Sequence, residues 1–275
     1  MTTVTTTKGP TVSAGSAGTN APAVDAITAG TIRIAGDGGD EIEAYEARPL
    51  APGSRGGVVV IHHRPGYDAA SKEIVRTFAV LGFNAICPNL FWRDAPGASP
   101  DDAAAASRAV GGVSDERLIG DVAGAAAALR ALESSNGRVG TIGYCSGGRQ
   151  SVLAACNLPL DAAVDCYGAF VVEPVPEDVA MNVVPILDQM EGLSCPLLGL
   201  FGADDAHPSP DAVAALHDEL ERLGKPHDFH TFTGAGHAFF AVDRPSYRPE
   251  AAVEGWSLIA DWFGRYLSGS SRAVG

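Results

Sequence analysis

Along this chain the spacing of apolar positions changes period again and again, and the changes predict an alternating series of strands and helices. Residues 31–35 and 41–48 alternate apolar and polar positions on either side of Gly36-Asp37-Gly38-Gly39, which predicts an antiparallel pair joined by a turn. Residues 57–61 (Gly-Val-Val-Val-Ile) form an unbroken apolar run, as expected of a parallel strand buried on both faces. Further strand-like runs cover 84–87, 139–142, 162–167, 196–201 and 228–232. Helical stretches separate them at 69–81, 114–132, 147–156, 211–223 and 250–267, with Gly82 closing the first and Ser114 placed to cap the second. This alternation predicts an α/β fold with a mostly parallel sheet and helices on both faces. Ligands in such sheets bind at the carboxyl ends of the strands. Two longer irregular stretches, 91–113 and 172–194, follow strand ends and are expected to wall a pocket there.

Composition narrows the functions open to such a fold. Of 275 residues, 46% are hydrophobic and 19% charged, which a disordered chain does not have and a core-forming chain does. A net charge of −14 repels nucleic acid and anionic membrane surfaces, so small molecules are the expected partners. The five cysteines are odd in number, scattered and mostly set in apolar runs, the usage of a reducing compartment. No CxxC pair or Cys/His ligand spacing calls for a structural zinc, and nothing calls for a cofactor. Residues 1–25 are rich in Thr, Ala, Gly and Ser without the pattern of a secretory signal, and no apolar run approaches a membrane span. The expectation is a cytoplasmic protein, monomer or homodimer, with a flexible leader (1–25), one catalytic domain (26–268) and a flexible C-terminus (269–275).

The sharpest chemical signal is Gly143-Tyr144-Cys145-Ser146-Gly147-Gly148, between a predicted strand and a predicted helix. This is the nucleophile-elbow pattern with Cys where Ser is usual. Its glycines allow a strained turn that lifts the nucleophile above the sheet, and the helix N-terminus favours a thiolate. A thiol nucleophile needs a base, and the base an orienting group. His237 stands in a Gly-rich loop after the last predicted strand, and Asp205 follows the strand before it, with Asp204 as the fallback. Nucleophile, acid and histidine then come in the order that a hydrolase of this architecture uses.

Four segments together, Val60-Ile61-His62-His63-Arg64-Pro65-Gly66, Cys87-Pro88-Asn89-Leu90, the elbow, and Gly236-His237-Ala238-Phe239, resemble the dienelactone hydrolase (carboxymethylenebutenolidase) family over residues 31–267. The resemblance implies an eight-stranded α/β-hydrolase fold and attack of Cys145 on a lactone or ester carbonyl through a thioester. It implies an oxyanion hole from the backbone N–H groups of Ser146 and Arg64. It also implies Arg93 as the arginine that holds a substrate carboxylate. His62, His63, Trp92, Tyr144 and Phe239 are expected to line the pocket. Two departures accompany the match: His63 stands where the family carries a glutamate, and Ala241 where it carries a second arginine, with Arg244 near enough to substitute. Arg149 reads equally as an anion binder or as one half of an ion pair, and His62, His63 and His207 are not expected to ligate a metal.

The leading expectation is therefore a hydrolase of a lactone, ester or thioester. A cyclase, isomerase or acyl-transfer enzyme on the same fold would keep the elbow but exclude water. A noncatalytic binding protein would have no physical need of a nucleophile, base and orienter.

Overall fold

The computed structural model describes residues 4–8, 26–176 and 183–269. Among these described residues, nine strands form one sheet in the order β1-β9-β8-β7-β6-β4-β5-β3-β2. They are β1 (Val4–Lys8), β2 (Ile27–Ala35), β3 (Glu41–Pro49), β4 (Arg55–Ile61), β5 (Asn84–Pro88), β6 (Ser135–Tyr144), β7 (Ala162–Cys166), β8 (Leu197–Gly202) and β9 (His227–Phe232). The run from β5 through β4, β6, β7 and β8 to β9 is parallel, whereas β2 and β3 join antiparallel. This is an α/β-hydrolase fold, and β2–β9 are the eight strands expected from the sequence.

The ninth strand arises inside the expected leader. Val4–Lys8 pairs antiparallel with β9, from Val4 opposite Phe232 to Lys8 opposite Asp228. Its Val-Thr-Thr-Thr run is β-branched, and such residues suit an extended strand. The rest of the expected leader, residues 1–3 and 9–25, and residues 270–275 of the expected C-terminal tail lie outside the described residues.

Helices α1 (Ala69–Val80), α2 (Pro100–Ala109), α3 (Asp115–Arg130), α4 (Ser146–Asn157), α5 (Pro210–Arg222) and α6 (Pro249–Leu267) cover the sheet. The period-2 backbone of β4 sends Val58 and Val60 into one apolar layer and Val59 and Ile61 into the other. The first layer is closed by Val75 and Phe78 of α1 with Ile259 and Phe263 of α6, the second by Leu118 and Val122 of α3, Val152 of α4 and Leu216 of α5. With both faces covered, every residue of β5, β7 and β8 is buried.

Residues 91–113 are not irregular throughout, because α2 lies within them. Its start is written in Ser99-Pro100-Asp101-Asp102: Ser99 Oγ accepts from the Asp102 N–H at 3.2 Å, and proline fills the first turn. Four of the six helices begin on such a cap, from Asp68, Ser99, Ser114 and Ser209. Helix α4 does not; the residue at its cap position is Cys145.

Candidate active site

Strand β6 is central in the sheet, and its carboxyl end runs straight into α4 through Cys145. Cys145 holds φ 57° and ψ −122°, a conformation that residues with a Cβ rarely adopt. The turn closes this tightly because three glycines permit it. A Cβ on Gly143 would lie 1.8 Å from the Gly147 carbonyl oxygen, one on Gly147 would lie 2.3 Å from that of Ile61, and one on Gly148 would meet Asp165 Oδ1 at 2.3 Å. The same close approach brings the carboxyl end of β4, and hence the backbone leading to Arg64, against the elbow.

His237 follows β9 and Asp205 follows β8. His237 Nδ1 donates to Asp205 Oδ2 at 2.9 Å, and the other carboxylate oxygen of Asp205 accepts from the His207 N–H at 2.9 Å. Because the carboxylate only accepts, Nδ1 carries the proton and Nε2 is left for the sulfur. Asp205 is buried and Asp204 exposed, and it is Asp205 that reaches His237. Burial lowers the affinity of His237 for its second proton, but the hydrogen bonds it donates to Asp205 and then to the Cys145 sulfur outweigh it and raise the imidazole to about 10.

Two cavities open on this trio, and Cys145, His237 and Arg64 line both. The first, about 260 Å³, is bounded by apolar groups that include Ile74, Tyr144, Phe240 and Trp256, with His63 and Arg244 as polar members. The second, about 580 Å³, is bounded by Ser146, Arg149, Phe170 and His207 among others. Backbone strain gathers here: Cys145, Tyr167 and Ala238 all have positive φ and all line the first cavity.

Of the residues expected to contact substrate, His63 and Tyr144 line the first cavity, and four do not line either one. Arg93 is turned to another task. Its Nη1 donates to Asp121 at 2.9 Å, its Nε to Asp40 at 3.0 Å and its Nη2 to the Asp37 carbonyl at 3.2 Å. Asp121 is fully buried, and a buried carboxylate requires such a partner. Trp92 lies under the Arg33 guanidinium, 3.9 Å from ring centroid to Cζ. Phe239 is fully buried among Tyr167, Phe232 and Phe240, so its neighbour Phe240 faces the cavity instead.

His62 is also buried. Its Nε2 accepts from the Leu90 N–H at 3.3 Å and its Nδ1 meets the His63 carbonyl at 2.9 Å, which assigns the proton to Nδ1. Burial pushes its pKa down to about 4 and keeps it neutral, a bracket between two loops. Arg149 takes the ion-pair reading, bidentate to Asp115 at 2.9 and 3.0 Å. His63 sits 3.3 Å from Asp68, the cap of α1, and with burial opposing it, this contact and the Ser71 hydrogen bonds hold the Asp68 carboxyl well below its usual range.

Several lining residues carry no signal in sequence. Ile74 and Thr77 lie on α1 and Trp256 on α6, far along the chain from the elbow. Asp165, on β7, is buried beneath the site, where desolvation lifts its carboxyl to about 7 against the opposing pull of the Gly168 N–H, 2.7 Å away, and of His237. Tyr167 at the end of the same strand presents its ring edge to His237 at 5.2 Å. Arg244, which the sequence did offer, lies in the same cavity as Ala241.

Comparison with known proteins identifies the family. The model of the dienelactone hydrolase family matches residues 42–267. A curated protein of Methylorubrum extorquens strain AM1, named "Putative carboxymethylenebutenolidase", is 31% identical over 87% of this chain and 82% of its own. A Bradyrhizobium protein named "Probable 2-oxo-3-(5-oxofuran-2-ylidene)propanoate lactonase" is 28% identical over 85% of this chain and 93% of its own. The crystal structure of a "Putative Dienelactone Hydrolase" from Klebsiella pneumoniae superposes with a TM-score of 0.78, at 30% identity, over 88% of this chain and all of that one. The fold, the elbow and these relatives agree that the chain is a hydrolase of the dienelactone hydrolase family.

Proposed function

We propose that the protein opens a lactone, or cleaves an ester, through a cysteine acyl-enzyme. The observation that carries this reading is the hydrogen-bonded Asp205–His237 pair set against Cys145 at the uncapped start of α4. In this reading the Cys145 thiolate attacks the carbonyl carbon, and the carbonyl electron pair moves to oxygen. The resulting oxyanion accepts hydrogen bonds from the N–H groups of Ser146 and Arg64, the first of which has no partner within its own helix. On collapse the C–O bond breaks, and His237 Nε2 gives its proton to the departing oxygen. Water then loses a proton to His237, attacks the thioester and releases the thiolate. No helix among the described residues is long and apolar enough to cross a membrane.

The direct test is covalent capture. An activated aryl ester is expected to add one acyl group per chain, located on Cys145 by peptide mass mapping, together with turnover of a simple butenolide. Acylation elsewhere with Cys145 unmodified during turnover would remove the mechanism.

The pH dependence follows from His237. A histidine raised to about 10 keeps the imidazolium through neutral pH and loses it only as pH rises through that value. The alkaline limb of kcat/KM is expected near pH 10. Asp205→Asn removes the carboxylate and is expected to move that limb down by at least about one unit, toward the ordinary histidine value of about 6.5. A limb unmoved by Asp205→Asn would mean that Asp205 does not orient the base.

Substrate charge is read by Arg244 rather than Arg93 in this account, since only Arg244 shares a cavity with Cys145. A lost charge-assisted hydrogen bond costs roughly 1.5–3 kcal/mol. Arg244→Gln is therefore expected to raise KM for a carboxylate-bearing lactone about tenfold or more, and to leave KM for a neutral ester within about twofold. Equal effects on both substrates would show that Arg244 shapes the cavity without reading charge.

A further inference from the structure

A second group of chemically capable side chains lies at the other end of the sheet from Cys145. Helix α5 carries His217 and Glu221 one turn apart, so they occupy one face of the helix. The helix ends at Leu223, and Gly224 with φ +65° turns the chain back, its N–H on the Glu221 carbonyl and that of Lys225 on the Leu220 carbonyl. Strand β9 therefore starts beside the helix just left, and its first residue, His227, lies against His217. His217 Nδ1 and His227 Nε2 are 2.7 Å apart, and with a Glu221 carboxylate oxygen they form three donor atoms all within 4.8 Å of one another.

The inner histidine is held from behind in the manner of a metal ligand. His227 is 3% exposed, and its Nδ1 lies 2.9 Å from the Lys225 carbonyl, which can only accept. Nδ1 thus carries the proton, and the lone pair of Nε2 points at His217 and Glu221. A backbone carbonyl on the far nitrogen is the usual device that fixes tautomer and ring orientation in a ligating histidine. The flanking cations do not compete for the space: Arg222 pairs with Glu219, and Lys225 Nζ donates to the Leu193 carbonyl at 3.0 Å.

We propose that His217, Glu221 and His227 bind one divalent transition metal ion, with Zn²⁺ the best match, separate from the hydrolase centre. Two imidazoles and one carboxylate are a three-ligand zinc set that leaves a fourth position to water. Zn–N distances of about 2.0–2.1 Å in tetrahedral geometry put ligand atoms about 3.3 Å apart. The present spacings of 2.7 Å between the nitrogens and at most 4.8 Å overall bracket that value, so small side-chain rotations suffice. On binding, the ion takes the place of the proton that His217 shares with His227. It ties the end of α5 to the start of β9, closing the segment between Asp205 and His237 far from their side chains.

The test uses the full chain, tag removed and stripped with chelator, carrying Cys145→Ala so that the active-site thiol cannot hold the ion. Titration with ZnCl₂ by calorimetry is expected to give one ion per chain with Kd on the order of 1 µM or tighter. At a hundredfold excess over Kd the melting temperature is expected to rise by about 5 °C or more. Co²⁺ is expected to show the visible absorption of a tetrahedral nitrogen–oxygen site without a thiolate band. His217→Gln is expected to weaken Zn²⁺ at least about 30-fold and to abolish the thermal shift, and Glu221→Gln to weaken it about tenfold. Glu221 is exposed, so Glu221→Gln carries the test alone if His217→Gln fails to fold. No stoichiometric binding below about 100 µM, or an affinity that neither substitution changes, would overturn the proposal.

Discussion

Cys145→Ala is expected to lower kcat/KM for lactone and ester hydrolysis by at least about 10³-fold while leaving the melting temperature within about 2 °C of the parent. The two halves of this expectation have separate causes. The covalent step has no other thiol to use: Cys87, Cys166 and Cys195 are buried and Cys156 half-buried, and burial pushes each of those thiols up, away from thiolate. Stability is spared because alanine keeps the Cβ and therefore the same strain at φ 57°, losing only a partly exposed sulfur. Cys145→Gly offers the complementary control. Removing the Cβ relieves the backbone strain, so a variant that is equally inactive but no less stable is expected. Cys145→Ser is expected to be poor, since an alkoxide cannot readily take the charge that a thiolate carries. Turnover of Cys145→Ala within tenfold of the parent, with unchanged circular dichroism, would sink the nucleophile assignment.

Arg93→Ala is expected to destabilise the fold by about 3–5 kcal/mol, the usual consequence of stripping the partner from a buried charge. At roughly 2–4 °C per kcal/mol for a chain of this size, the melting temperature falls by about 6 °C or more. The charge left behind is the Asp121 carboxylate, fully buried and then held only by the Asp37 N–H at 2.9 Å. Replacing both members, as in Arg93→Gln with Asp121→Asn, removes the unpaired charge and is expected to restore most of the loss. KM for a carboxylate-bearing lactone is expected to stay within about twofold in any Arg93 variant that folds, because Arg93 lines neither cavity at Cys145. A raised KM with an unchanged melting temperature would return to Arg93 the substrate role that the family resemblance implies.

The contrast between Arg93 and Arg244 shows where sequence information stops. Local signals were decisive wherever the physics is local. The unbroken run of β4 marks a strand buried on both faces, and the glycines around Cys145 are required by contacts made within a few residues and with the two neighbouring strands. The order of Cys145, Asp205 and His237 marks three strand ends. Even α2, inside a stretch expected to be irregular, is announced by Ser99-Pro100-Asp101-Asp102. The pairing of Val4–Lys8 with β9 is another matter, since its partner lies more than 200 residues away and no local pattern names it.

What the sequence determined by itself was the alternation that builds the sheet, the strained turn at Cys145, and the places of Asp205 and His237 after β8 and β9, because period, glycine and chain order act over short distances. What only the tertiary structure decided was which side chains face the space around the sulfur. Trp92 and Arg93 turn to Arg33 and to buried Asp121, while Trp256 and Ile74 reach the cavity from α6 and α1. Direction at those positions is set by whichever buried charge or apolar layer the rest of the fold places nearby, and that is a property of the packed chain rather than of any segment of it.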